Sequence, residues 1–255
     1  MSGLRWRLLR DDPAPGPVNM ARDHALARCL GAGEGVLRLY GWSEATVSLG
    51  RNEPALERYA RVESGPPFVR RPTGGRAVLH ASEVTYAVAL PERAWGGPRA
   101  SYRRIHQALV QGLLRLNVAA EVATAGAALP PDAGPCFRRP AAGEVVLGGR
   151  KLVGSAQARM EGVILQHGSV LLSGDQDLLA RLRGEEPSQE DRPATLAQDT
   201  GSAFTADVVM DALAEGARLA WPGAWRKAPY SDREQEEADL LRRERYGDEA
   251  WTWRR

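Results

Sequence analysis

The chain of 255 residues has almost no cysteine and almost no lysine. Cys29 and Cys136 are its two thiols. They cannot build a disulfide framework and offer no CxxC spacing for zinc, so each must be judged singly. Of 34 basic side chains only Lys151 and Lys227 are lysines. Where any cation would serve, arginine has been used, so a lysine inside a dense run of glycines suggests a need for a compact ammonium whose proton affinity can shift. Lys227, in WRKAPY, reads as an ordinary surface cation. No apolar stretch approaches the roughly 18 residues of a membrane span. The N-terminus MSGLRWRLLRDD carries Arg and Asp where a secretory signal needs continuous apolar residues. A soluble, cytoplasmic protein without a membrane partner is expected. The 34 basic residues are balanced by 32 acidic ones. With no helix-turn-helix and no basic stripe interleaved with aromatics, a nucleic-acid partner is not expected.

The chain is long enough for one principal core. Residues 18–30 place Val18, Ala21, Ala25, Leu26, Cys29 and Leu30 at helical spacing, with Asn19 as a cap and Cys29 as a packing residue on the apolar face. Segments 35–42 and 45–52 suit short consecutive strands and predict a tight antiparallel pair. In EVTYAVAL, Val84, Tyr86, Val88 and Leu90 alternate with Glu83, Thr85, Ala87 and Ala89, the period of a half-buried strand. Gly74 and Gly75 then fall between strands. From Pro98 to Asn117 apolar residues recur every three or four positions, a helix opened by Pro and closed by Asn. Gly148-Gly149 between EVVL and RKLVGSAQAR is a two-residue hairpin signal, with GVILQHGSVLL as a further strand. Residues 174–205 read as a long surface connection with one short helix. Two helices are expected beyond it, the second opened by the capping-box pair Ser231 and Glu234. The fold class is α+β: a largely antiparallel mixed sheet backed by helices, one domain over 1–255 with a C-terminal helical extension at about 206–255.

Cys136 lies in PPDAGPCFRRP, a Pro/Gly loop with Arg138 and Arg139 close behind it. A positive, partly exposed setting favours a thiolate, although an inert loop thiol fits the local sequence as well. Lys151 precedes LVGSAQAR, where small residues let a ligand approach the backbone; the alternative is an exposed hairpin cation. RRPTGGRAVLH brings together Arg70, Arg71, Gly74, Gly75, Arg76 and His80. Its glycine amides can form a nest for a carbonyl, carboxylate or phosphate oxygen, or simply turn a hairpin. His80, and His167 beside Gly168, are either site residues or satisfied core histidines.

Taken together, VNMARDHAL, LRLYGWSEATVSLGRNE, VRRPTGGRAVLHASEVTYAV, GRKLVGSAQAR and GVILQHGSVLL, in this order, resemble the biotin/lipoate protein ligase superfamily along nearly the whole chain. Within it the chain is most similar to the Cys-dependent octanoyltransferases: Cys136 stands in a Cys-Phe step and Lys151 follows in RKLVGSAQAR. The ATP-dependent lipoate ligases of the superfamily usually continue the glycine block with His-Asp and Gly-Asn, whereas Ala81, Ser82 and Glu83 follow His80. The resemblance therefore implies transfer of octanoyl from octanoyl-acyl carrier protein, through a Cys136 thioester promoted by Lys151, to a lysine of a lipoyl domain, without a cofactor or metal. Arg71, Gly74, Gly75, Arg76, His80, Gly154, Ser155, Ala156, His167 and Gly168 are the implied substrate-binding positions. Acceptors of this kind are the glycine cleavage carrier protein and 2-oxoacid dehydrogenase subunits. Arginines at 51, 58, 61, 70, 71, 138 and 139 offer a basic rim for such acidic partners, or are simply solvated. The alternatives are an ATP-dependent lipoate or octanoate ligase, octanoyl transfer between lipoyl-domain proteins, and a catalytically inactive accessory subunit.

Overall fold

The computed structural model describes residues 3–59, 64–124, 141–189 and 192–255. Its main sheet has eight strands, in spatial order β11 (Gly223–Lys227), β1 (Leu4–Arg10), β2 (Glu34–Tyr40), β6 (Glu83–Pro91), β10 (Val163–Leu171), β9 (Arg150–Met160), β8 (Val145–Leu147) and β7 (Glu121–Val122). β1 runs parallel to both β2 and β11, and every other pairing in this sheet is antiparallel. A second sheet of three strands has the order β4 (Phe68–Arg70), β3 (Thr46–Leu49), β5 (Val78–His80). The sheet is thus mixed and largely antiparallel, backed by helices, as the sequence predicts.

Helices cover both faces of the main sheet. On one, α3 (Pro98–Leu114) and α6 (Ala206–Ala220) bury Ile105, Leu109, Leu113, Val209 and Leu213 against Leu37, Tyr86, Val88 and Val153. Each fully buried side chain of this kind contributes about 1.5–3 kcal/mol relative to exposure. On the other, α1 (Gly16–Arg28) and α7 (Asp232–Leu241) bring Met20, Ala21, Ala25 and Leu241 onto Tyr40 and Ala87. Short helices α2 (Ala55–Tyr59), α4 (Asp177–Leu182), α5 (Leu196–Thr200) and α8 (Glu249–Thr252) fill the connections. At the sheet's end Trp6 is fully buried among Trp95, Trp221 and Trp225, with ring centroids 4.7–5.5 Å from its own. Among the described residues no helix is long and apolar enough to cross a membrane.

Several expectations are corrected. Segments 35–42 and 45–52 do not pair: β2 lies between β1 and β6, and β3 lies in the other sheet. β2 is buried on both faces and needs two neighbours; the unforeseen strand LRWRLLR supplies one. Its arginines concealed it, yet Arg7 is buried in an ion pair with Glu234. β6 is buried on both faces, not one. Asn19 is no cap: α1 begins after Pro15, and the Asn19 amide donates to the carbonyls of Ala14 and Gly41. Cys29 follows the last turn of α1 and is partly exposed, so it is not a core packing residue. Among the described residues, 174–205 hold two short helices, and β11 interrupts the supposed helical C-terminal region. The Gly148-Gly149 turn is present with φ of 57° and 76°, the left-handed pair that glycine best adopts. Ser231 and Glu234 form the reciprocal capping box.

Candidate active site

A cleft of about 350 Å³, open mouth included, lies where the small sheet meets β6, β9 and β10. It is lined by Trp42, Ser48, Arg71 and His80 on one side and by Gly154–Ala156 and His167–Ser169 on the other. Seven of the ten implied binding positions therefore converge: Arg71, His80, Gly154, Ser155, Ala156, His167 and Gly168. Gly74, Gly75 and Arg76 form the adjoining loop. Gly75 has φ of 88°, and a Cβ there would meet Arg71 Nη2 at 2.8 Å.

Antiparallel register explains the convergence. His167, Gly168 and Ser169 on β10 stand opposite Ala156, Ser155 and Gly154 on β9 and opposite Ala87, Tyr86 and Thr85 on β6. Side chains alternate across a strand. His167 and Ser169 therefore face the cleft, while Tyr86 and Ser155 turn toward α3. Gly168 leaves room between them: a Cβ there would meet the Gly154 carbonyl at 2.5 Å and Ser155 Oγ at 2.6 Å.

A β-bulge sets the direction of Lys151. Val145 pairs with Val153, but Val146 pairs with Lys151, which leaves Leu152 as an extra residue. Leu152 and Val153 both pack into the core beneath α3, so Lys151 is turned to the opposite face, the one that carries Gly154 and Ala156. It is not an exposed hairpin cation: its side chain is 3% exposed, and its ammonium donates to Glu144 Oε1 at 2.6 Å. Cys136, with Arg138 and Arg139, lies outside the described residues.

Both implied histidines are buried and fully hydrogen-bonded. His80 Nδ1 is 2.8 Å from Glu83 Oε1 and its Nε2 is 2.7 Å from Ser48 Oγ. The Trp42 ring stacks on it, centroids 3.8 Å apart. Burial pushes the Glu83 carboxyl up, but His80 and the hydroxyls of Ser169 and Thr85 outweigh it and hold the group below its ordinary value. His167 Nδ1 is 2.8 Å from Asp23 Oδ2 and its Nε2 is 2.6 Å from Thr73 Oγ1. Asp23 also accepts from Arg38 at 2.7 Å and from Tyr40 at 2.9 Å. Arg71 donates to the carbonyls of Ser48, Gly74 and Arg76 and so shapes the glycine loop.

A third histidine near the site escaped the sequence reading. His106 of α3 is buried, with Nδ1 2.5 Å from the Gly143 carbonyl and Nε2 2.8 Å from Ser155 Oγ. Burial lowers its pKa to about 4, so the ring is neutral. Its Nδ1 therefore carries the proton and its Nε2 accepts the Ser155 hydroxyl. Glu144, Asp23, Ser48 and Glu83 were also missed. The polar pair Asn19 and Asp23, one turn apart inside an otherwise apolar helix face, was the available signal for Asp23. Nothing local marked Ser48.

Comparison with known proteins gives the family and the fold. Residues 15–218 match the lipoyl protein ligase A/B catalytic domain. The chain is 38% identical to the octanoyltransferase LipM of Symbiobacterium thermophilum over 98% of each chain. It is 39% identical to the octanoyltransferase LipM of Kyrpidia tusciae over 98% of this chain and 99% of that one. Among solved structures, lipoate-protein ligase A bound with ATP superposes with a TM-score of 0.82 at 24% identity, covering 99% of both chains, a likeness of fold. The chain belongs to the lipoyl protein ligase A/B catalytic-domain family.

Proposed function

We propose that the protein transfers an octanoyl group from octanoyl-acyl carrier protein, through a thioester on Cys136, to a lysine of a lipoyl domain. The observation that carries this reading is the buried Lys151 ammonium turned onto the cleft's face of the sheet, in a chain 38–39% identical over nearly its full length to proteins named octanoyltransferase. The Glu144 carboxylate accepts from that ammonium and offsets the cost of burying its charge. A cation beside a thiol favours the thiolate, which attacks the donor thioester. Exchange of one thioester for another is near balance, and formation of the lysine amide is downhill, so the two steps require no nucleotide. His80, Gly154, Ala156, His167 and Gly168 frame the acyl group, Ser155 is held from behind by His106, and Arg71 shapes the Gly74-Gly75-Arg76 loop that closes one end.

The acceptors are lipoyl domains of the glycine cleavage carrier protein and of 2-oxoacid dehydrogenase subunits. Residues 1–255 act as one catalytic unit, with 206–255 as an integral flank. The test is intact-protein mass after mixing with octanoyl-acyl carrier protein in the absence of ATP. Wild type is expected to gain one octanoyl group and Cys136→Ala none. Transfer that appears only on adding ATP and free octanoate would replace this reading with a ligase.

A further inference from the structure

The transfer step sets a requirement on the acceptor's proton. The acceptor lysine has an ordinary pKa of about 10.4 and arrives protonated near neutrality, so its ε-ammonium must lose a proton before it can attack. Three buried histidines surround the cleft, and they are built differently. His106 has a carbonyl behind it, no carboxylate, and stays neutral. His167 has Asp23 behind it, but that carboxylate is already engaged by Arg38 and Tyr40. Burial outweighs Asp23, and the His167 pKa is lowered.

His80 differs from both. Its partner Glu83 is fully buried and ionised, and Oε1 accepts from His80, Thr85 and Ser169. No arginine or lysine bonds that carboxylate among the described residues, and Glu83 Oε2 is buried with no partner. Its charge is therefore available to a protonated imidazole. With Nδ1–H donating to Glu83, the Nε2 lone pair accepts the Ser48 hydroxyl at 2.7 Å, and both Ser48 and His80 line the cleft. Stacking on Trp42 fixes the ring plane. The order carboxylate, imidazole, hydroxyl is that of an oriented base behind a proton-carrying group.

We propose that Ser48, His80 and Glu83 form a proton relay that deprotonates the incoming lysine ε-ammonium. The relay rests on the transfer reading above. As the ammonium N–H bond breaks, its proton goes to Ser48 Oγ while the Ser48 hydroxyl proton goes to His80 Nε2. The freed amine pair forms the C–N bond to the octanoyl carbonyl carbon; as the C–S bond breaks with its pair remaining on sulfur, the nitrogen's second proton passes to that sulfur, leaving the amide and the thiol. The resulting imidazolium sits against Glu83 and later releases its proton to solvent. Ser48 touches the substrate; His80 and Glu83 act through it as positioning and proton-holding residues. Among the described residues, the charged or titratable groups around His80 are Glu83 from β6, His167 from β10, Tyr40 from β2 and Arg71 from the loop after β4, which also donates to Ser48 Oγ at 3.2 Å.

The two half-reactions separate the relay from a structural role. Octanoyl-enzyme formation is read by intact mass, and its decay to octanoyl-lipoyl domain is read in single turnover from pH 7 to 10. His80→Ala, Ser48→Ala and Glu83→Gln are expected to slow transfer on the order of 10²-fold at pH 7, at least tenfold more than they slow acylation. Without the relay the reaction depends on free amine, so the His80→Ala deficit should shrink about tenfold per pH unit toward the lysine pKa. A deficit that is constant with pH, or equal in both half-reactions, overturns the relay. Failure of the wild type to form the octanoyl-enzyme at all refutes the transfer reading itself, a separate outcome.

Discussion

Lys151 and Glu144 form a buried ion pair, Nζ to Oε1 2.6 Å, with 3% and 11% of their side chains exposed. The pair joins β9 to the residue just before β8, and the next residue back, Gly143, is held by His106. Breaking a buried pair leaves an uncompensated charge, which costs about 3–5 kcal/mol. Glu144→Gln should therefore lower the urea midpoint and slow octanoyl-Cys136 formation on the order of tenfold, since the amide no longer offers Lys151 a charged acceptor. Unchanged acylation in a folded variant would show that the Glu144 charge is not needed.

Lys151→Arg keeps the charge but not the shape. A guanidinium is planar and larger than the compact ammonium seated on the bulge. Acylation is expected to fall on the order of 10²-fold, as a misplacement of about 1 Å can do. Rates within threefold of wild type would mean that charge alone is sufficient.

Gly168 is a steric requirement. Adding a methyl forces contact with the Gly154 carbonyl, Ser155 Oγ and Tyr86 Cε1, at 2.5, 2.6 and 2.9 Å. Overpacking of this kind costs about 1–3 kcal/mol. Gly168→Ala should lose stability in urea and slow both half-reactions, because the Ser155–His106 bond behind the cleft is displaced. A variant with wild-type midpoint and rates would contradict the packing described.

Acid stability should decline in two stages. His24 and His106 are pushed by burial to about 4 from an ordinary 6.5, so the folded state resists protons that the unfolded chain accepts. That stability is complete above about pH 6.5 and is lost as pH falls toward 4. Asp23 and Glu83 behave oppositely in origin: burial raises them, and their partners outweigh it and lower them. Their contribution is present above the unfolded values of about 4 and is lost as pH falls further. The melting temperature is expected to hold from pH 8 to 7, drop below 6.5 and steepen below 4.5. His106→Gln should flatten the first drop; an identical profile would remove His106 as its source.

Much of this was readable in one dimension because it is local. The Gly148-Gly149 turn, the Ser231 cap and the α3 periodicity depend on neighbours within a few residues, and all three are present. Most of the implied binding positions also converge on one cleft. What escaped depends on contacts between distant segments. Arg7 made LRWRLLR look too polar for an inner strand, and only its pairing with Glu234, 227 residues away, makes burial affordable. Glu83 looked like the solvent side of a strand; Ser169 and His80 are what seat it inside. The direction of Lys151 hangs on a one-residue slip against β8, which no periodicity in β9 announces.

The tryptophan cluster at the sheet's end gives the molecule an optical signature. Trp6 belongs to β1, Trp225 to β11, and Trp221 follows α6; the Trp6 ring is tilted against Trp221 at 4.7 Å and stacked on Trp225 at 5.2 Å, and the stacked contact exists only when β1 and β11 have docked. Coupled indoles at such separations should give near-ultraviolet circular dichroism and shifted emission that change when β11 peels away and takes Trp225 with it. Because the cleft is built from other strands, the same signal would stay unchanged while acyl groups come and go, separating closure of the chain from occupancy of the site.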